Sequence, residues 1–418
     1  MLTFTGLSHQ RTPLALRERC AVSPARRPQA LTELRRRFGH VVLLSTCGRV
    51  ELYLDGPADA DAAVRWLAEQ GRVPEAELAP YIETAREADA ARRIVRVACG
   101  LESAVEGEDE ILGQVRRAWL DAGAAGTLSP ALDAAFRLAV RAGRQARRLG
   151  DPHAWTSLAD SAAARVTLAV ADLAAPRVLV AGTGPMGLRA ARTLRDHLGE
   201  VLALELAGRT PARVTAHAAA LGARPLSLDD VPAALGRVDA AVVALRAPRT
   251  LFGPEHVAPR PAGRPLLIVD LSVPRAVDPA VETRDGVCLL DVDGVAAGEG
   301  RPARWGPAER AQVEAIAEEA VQAFCARSHR SEAEATLAAL RLQAEGVRRT
   351  LLERTLRRLP ELDDEARWRI DALTRALVNR LLHEPTLRLR ADTDGTVARQ
   401  VRALFFDHYH GTGAADSA

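Results

Sequence analysis

Apolar positions along the chain change rhythm three times. The runs LTFTGLSH (2–9), HVVLLST (40–46) and RVELYL (49–54) read as β-strands, with helical patterns around 13–20 and 27–37 between them. Strands alternating with helices predict a small α/β sheet. From 59 to 147 apolar residues recur at three- and four-residue spacing, the mark of helices. LGDPHAWTS (149–157) breaks that pattern with Gly, Pro and Asp, so a boundary is placed there.

A helix over 156–170 then leads into the strand PRVLVAGTGPMG (176–187), whose glycine-rich end opens the helix LRAARTLRDHL (188–198). Further strands are expected at VLALELA (201–207), AAVVALR (240–246), PLLIVDLSV (265–273) and VCLLDV (287–292). This alternation predicts a doubly wound parallel sheet. From Pro307 to Arg358 the chain is almost free of Gly and Pro, longer than an ordinary globular helix and suited to connecting or oligomer-forming roles. Helices at 362–383 and 394–407 follow. The tail GTGAADSA (411–418) is expected to be disordered. The predicted organisation is an N-terminal α/β domain (1–150), a Rossmann-like domain (156–305), and a long helix with an all-α domain (307–410).

Composition sharpens the chemistry. The 418 residues are 48% hydrophobic and 26% charged, with net charge +2, and all 56 basic residues are arginine. Without lysine the chain cannot build a P-loop, a pyridoxal Schiff base or a protein-kinase site. Near-neutral charge gives no whole-surface footprint for nucleic acid. The five cysteines are widely spaced, with no CxxC and no HExxH, so no disulfide framework or metal site is expected. No signal peptide or membrane-length apolar run is read, and the expected location is the cytoplasm.

Two segments carry candidate chemistry. Gly182-Thr183-Gly184-Pro185-Met186-Gly187 sits between a predicted strand and helix. There the first glycine makes a tight turn, the second admits a pyrophosphate, and the third lets helix pack on strand. Where an NAD enzyme places an acid, the turn after the second strand reads Ala207-Gly208-Arg209-Thr210; arginine and hydroxyl suit the 2′-phosphate of NADP, unless Arg209 is one more surface arginine. Cys47, in STCGR (45–49), lies at a break between strands, with Gly48 allowing a sharp turn and Arg49 nearby. Spacing alone leaves it either nucleophile or inert core thiol. The glycine- and carboxylate-rich GLESAVEGEDEILGQVR (100–116) reads as a solvated loop or a substrate-lining segment.

Together with GLSHQRTPLALRER (6–19), LSTCGRVELY (44–53), DLSVPRAVDP (270–279), LLDVDGV (289–295) and NRLLHEPTLRLR (379–390), these segments make the chain resemble the glutamyl-tRNA reductases of tetrapyrrole (porphyrin) formation over nearly its whole length. The resemblance implies attack of Cys47 on the ester carbonyl of glutamyl-tRNA, a thioester, and reduction by NADPH to glutamate-1-semialdehyde. It places Thr46, Cys47, Gly48 and Arg49 in the substrate segment, with Ser103, Glu108, Asp109, Glu110 and Gln114 lining the same pocket. Arg49 is the expected partner of a substrate carboxylate. The resemblance makes 1–150 the catalytic domain, 156–305 the NADP-binding domain and 307–410 the dimerisation domain, so a homodimer is implied, as is transient contact with the aminomutase that takes the aldehyde; neither membrane nor DNA is.

The chain departs from that family at Gly48 (asparagine there), at Asp109-Glu110 (Pro-Gln there) and at Arg93, which stands where the family has histidine. One reading has Arg93 and Arg49 together holding Cys47 as thiolate; His9 and His40 are other candidates for the histidine's part. The opposing reading is a paralogue with impaired catalysis that binds tRNA or NADPH. A dehydrogenase resembling shikimate dehydrogenase is a third reading, weakened by the missing lysine.

Overall fold

The computed structural model describes residues 1–56, 60–150, 157–247, 249–260, 264–297 and 304–406. Most of the expected boundary segment 149–157 and the whole tail 411–418 lie outside these residues. The chain forms two compact units, Met1–Ala320 and Val321–Ala418. The expected catalytic and nucleotide-binding regions therefore share one unit, and the division falls within the long helix Pro307–Arg358.

The first unit opens with a four-stranded antiparallel sheet in the order β2-β3-β1-β4: β1 Leu2–Ser8, β2 His40–Ser45, β3 Arg49–Asp55 and β4 Glu83–Arg86. Strand β4 (ETAR) was not expected; it is short, polar and at an edge, so it lacks apolar alternation. Register fixes what matters later. Ser8 pairs with Arg49 and Ser45 with Val50, so the end of β1 lies against the β2–β3 turn. Both faces of β3 are covered. Val50, Leu52 and Leu54 pack against Trp66 and Leu67, while the two-residue period sends Arg49, Glu51 and Tyr53 to the other face. There Tyr53 meets Phe4 and Phe136 at ring separations of 5.4 and 5.3 Å.

The second sheet is parallel, in the order β10-β9-β8-β5-β6-β7, from β5 Arg177–Ala181, β6 Ala203–Gly208, β7 Arg224–Ser227, β8 Ala240–Val243, β9 Leu266–Asp270 and β10 Val287–Leu290. Counted from β5 this is the 3-2-1-4-5-6 dinucleotide order, with its switch point between β5 and β8. Strand β7 (RPLS) was also missed, being an exposed edge that contains proline. Helices Leu158–Ala169 and Pro185–Leu198 cover one face, and Leu14 and Val105 of the N-terminal region join that same core.

In the second unit the long helix continues beside Asp364–Leu381, His383–Arg390 and Thr396–Phe405, around Ala333, Leu340, Leu389, Ala398 and Val401. The separate helix His383–Arg390 was not expected. Leu342, Val347, Leu351, Trp368, Leu377 and Leu404 are more than half exposed, an apolar surface that the single chain leaves uncovered. No helix among the described residues is long and apolar enough to cross a membrane.

Candidate active site

The β2–β3 connection is a tight hairpin closed by the Thr46 amide donating to the Arg49 carbonyl at 2.9 Å. The Gly48 amide donates to the Thr46 hydroxyl, and its carbonyl accepts from the His9 amide. Cys47 is thereby held half-buried in a narrow cleft with a volume of about 20 Å³, room for little more than a water molecule. The cleft is also lined by Thr46, Gly48, Arg49, Ser103, Glu108 and Gln114. Segment 100–116 is thus neither plain loop nor plain helix. It turns at Gly100 and Gly107, Glu108 caps the helix Asp109–Ala125, and the turn presents Ser103 and Glu108 to the thiol. Gly48 is not needed for the turn: its backbone is outside the left-handed region, and a Cβ there would meet nothing nearer than His9 Nδ1 at 3.5 Å.

Four of the expected assignments change. Arg93, on the helix Glu87–Cys99, does not line the cleft. Its guanidinium binds the buried Glu51 carboxylate at 2.9 Å, approaches Glu83 and Glu102 at 3.5 and 3.7 Å, and lies over the Phe4 ring. Arg49 does line it, but Nη1 is bound to Glu51 at 2.9 Å and Nη2 to the Glu102 carbonyl, so it is not an idle carboxylate fork. Asp109 points to Arg304 at 2.7 Å, and Glu110 lies 3.8 Å from Arg189; neither is in the cleft lining. Of the two candidate histidines, His9 lines the cleft, whereas His40 is exposed at the start of β2.

The electrostatics are set by burial. Cys47 is pushed up to about 12, first by loss of water and then by the Glu108 charge, against the opposing pull of Arg17 and Arg49. His9 falls to about 4 because it is buried beside Arg49 and Arg17, so it stays neutral. Glu108 rises to about 7 through burial and the neighbouring Glu110.

Arg17 was not anticipated. It is 1% exposed and donates through Nε to the Thr12 carbonyl, through Nη1 to the Cys47 carbonyl at 2.9 Å, and through Nη2 to both Asp293 oxygens at 2.5 Å. Asp293 and Val292, after β10, come from the nucleotide-binding sheet, so that region walls the thiol cleft. The adjoining Glu18 takes Arg275 through its backbone amide and guanidinium. Replacing Asp293 by Asn leaves the Arg17 charge uncompensated beside the thiol. Alkylation of Cys47 by iodoacetamide at neutral pH should then accelerate, by up to about tenfold per pKa unit gained; an unchanged or slower rate would show that Asp293 does not restrain the cysteine.

At the switch point, Gly182 (φ +134°) runs so close to the next strand that a Cβ would sit 2.3 Å from the Ala244 carbonyl oxygen. A Cβ on Gly187 would lie 2.1 Å from the Gly182 oxygen, whereas one on Gly184 would meet nothing within 4 Å. The last is the open cradle of a phosphate, facing the start of helix Pro185–Leu198. Thr183, Pro185 and Met186 complete this turn. Glu205, inside β6, is bound to Arg237 at 2.7 Å, and the exposed groups at the end of β6 are Arg209 and Thr210. Arg213, not foreseen from sequence, lies against the Thr183 carbonyl at 3.5 Å. These residues fit a dinucleotide carrying an extra phosphate.

A parallel dinucleotide sheet that shares a cleft with a thiol on a separate hairpin is the build of a nucleotide-dependent oxidoreductase. Residues 5–149 match the family model of the glutamyl-tRNAGlu reductase N-terminal domain, 163–297 that of shikimate/quinate 5-dehydrogenase, and 312–406 that of the glutamyl-tRNAGlu reductase dimerisation domain. A glutamyl-tRNA reductase from Roseiflexus sp. (strain RS-1) is 35% identical, covering 97% of this chain and 96% of its own. One from Myxococcus xanthus is 37% identical over 93% and 89%. The solved glutamyl-tRNA reductase from Methanopyrus kandleri is 28% identical, covers 96% and 98%, and has a TM-score of 0.48. The chain belongs to the glutamyl-tRNA reductase family, NADP-dependent oxidoreductases of tetrapyrrole formation.

Proposed function

We propose that the chain converts glutamyl-tRNA(Glu) to glutamate-1-semialdehyde, releasing the tRNA, through a thioester on Cys47. The carrying observation is that the thiol stands in a cleft walled on one side by the N-terminal hairpin and on the other by Val292 and Asp293 of the nucleotide-binding region. Acyl transfer to sulfur splits the reaction in two and keeps the acyl group activated. Thr46, Gly48, Ser103 and Gln114 border the reacting carbon, and the Arg49 side chain closes the floor. The Gly182–Gly187 turn would hold the NADPH pyrophosphate, with Arg209, Thr210 and Arg213 around the 2′-phosphate. When bound, that cofactor supplies the hydride that reduces the acyl group. The apolar surface of the second unit would be covered by a second copy of the chain, giving the homodimer. Handing the reactive aldehyde to the aminomutase that consumes it belongs to the same reading.

The test is purified protein with glutamyl-tRNA and NADPH, assayed for semialdehyde. Binding of either ligand without any aldehyde would instead identify an impaired paralogue. Cofactor choice is checked separately: replacing Arg209 and Arg213 together by Ala should raise KM for NADPH by roughly 10- to 100-fold, the worth of one or two charge-assisted hydrogen bonds. KM for NADH should stay unchanged; equal losses with both cofactors would count against a 2′-phosphate site.

A further inference from the structure

Acyl transfer to Cys47 requires a group that takes the thiol proton, and the cleft leaves few candidates. Arg17 and Arg49 cannot accept one. Asp293 is bound through both oxygens to Arg17. His9 is kept neutral by burial and by the charges of Arg49 and Arg17, which oppose its taking on a proton. Arg93, at the position of the family histidine, is outside the cleft and bound to Glu51. Glu108 differs from all of these. It is 8% exposed, its carboxyl faces the cleft, and among the described residues no arginine lies within ion-pair distance of it. Its backbone is fixed by Arg147, whose Nη2 donates to the Glu108 carbonyl at 2.6 Å.

Resting on the thioester reading, we infer that Glu108 is the proton acceptor and donor for acyl transfer onto Cys47, acting directly or across one water. As Cys47 Sγ forms its bond to the ester carbon, the thiol proton passes to a Glu108 carboxylate oxygen. When the bond from that carbon to the ribose oxygen breaks, the carboxylic acid returns the proton to the departing oxygen. One S–H and one C–O bond are exchanged for one S–C and one O–H bond, and Glu108 is regenerated. The surroundings suit the task. Burial and Glu110 raise its carboxyl to about 7, while Arg49, Arg147 and the Ser103 hydroxyl limit the rise, so both protonation states are available near neutral pH.

The experiment is single-turnover transfer of the glutamyl group from glutamyl-tRNA to the full-length protein without NADPH, followed against pH, alongside iodoacetamide alkylation of Cys47. The wild-type transfer rate should rise with pH through about 7 as the carboxylate forms. Glu108→Gln should lower it about 100-fold and abolish that rise, while alkylation of Cys47 becomes faster because the neighbouring anion is gone. A purely electrostatic Glu108 would make the variant faster in both reactions, and that result overturns the inference, as does transfer at the wild-type rate. Failure of the wild-type protein to take up any glutamyl group overturns the thioester reading itself. If melting shows Glu108→Gln to be unfolded, the wild-type profile decides: a rate flat from about pH 5.5 to 8.5 contradicts a proton acceptor titrating near 7.

Discussion

Replacing Cys47 by serine is expected to lower the rate of semialdehyde formation at least about 1000-fold, with thermal stability close to that of the unaltered protein. The hairpin that presents the side chain is closed by backbone hydrogen bonds and the Thr46 hydroxyl, none of which involves the sulfur. The Arg17 bond to this residue goes to its carbonyl and survives the exchange. What is lost is the polarisable nucleophile and the activated acyl group it carries, because an oxygen ester is a poorer hydride acceptor than a thioester. Semialdehyde assays with matched melting curves check this. A variant that retains more than a tenth of the activity would remove the thiol from the reaction.

The second large effect concerns stability. Glu51 is completely buried and carries the charge balance of the layer beneath the cleft: Arg49 and Arg93 each bind it at 2.9 Å, and the Tyr53 hydroxyl donates to it at 2.8 Å. Glu51→Gln leaves the buried Arg49 guanidinium facing a neutral amide, while the part-buried Arg93 keeps Glu83 and Glu102 nearby, and should cost about 3 kcal/mol of unfolding free energy, measurable by urea denaturation. The sign of its pH dependence follows from the carboxyl. Burial raises its pKa, but Arg49, Arg93 and the Tyr53 hydroxyl outweigh that and hold it below the ordinary carboxylate value of 4.5. The stabilisation is therefore complete above about 4.5 and is lost as pH falls below it through the depressed folded value. The gap between the two proteins should be widest at neutral pH and narrow only on acidification below that value. A gap that widened in acid would contradict the assignment.

Local physics explains which parts were readable beforehand. Strands β5, β6, β8 and β9 show as apolar runs because most of their central residues are buried, the half-buried edge strand β10 keeps an apolar run as well, and Gly182 and Gly187 stand where no side chain fits. Strands β4 and β7 escaped because polar edge strands carry no apolar periodicity. In the site, Thr46, Cys47, Gly48 and Arg49 are contiguous, and one hairpin brings them together. The Arg17–Asp293 pair spans 276 positions. Both residues lie inside segments noted for their motifs, yet nothing local says that they meet. The sequence leaves the side-chain direction of Arg93 open for a related reason. Its sequence position fixes its helix, but the direction of its guanidinium depends on Glu51, whose carboxylate comes from a different strand.

Arg93 does not stand in the cleft in place of a histidine. Packed over Phe4 and bound to Glu51, Arg93 contributes its charge to the layer that holds Arg49 in place. On the proposed mechanism, proton transfer then falls to Glu108, inside the cleft.

The most direct test is the mass of the protein after incubation with glutamyl-tRNA in the absence of NADPH, followed by peptide mapping. The account requires one glutamyl group on the peptide containing Cys47, removable by hydroxylamine and absent from Cys47→Ser. Semialdehyde formation by Cys47→Ser at the rate of the unaltered protein, with no acyl group on any cysteine of either, would contradict it.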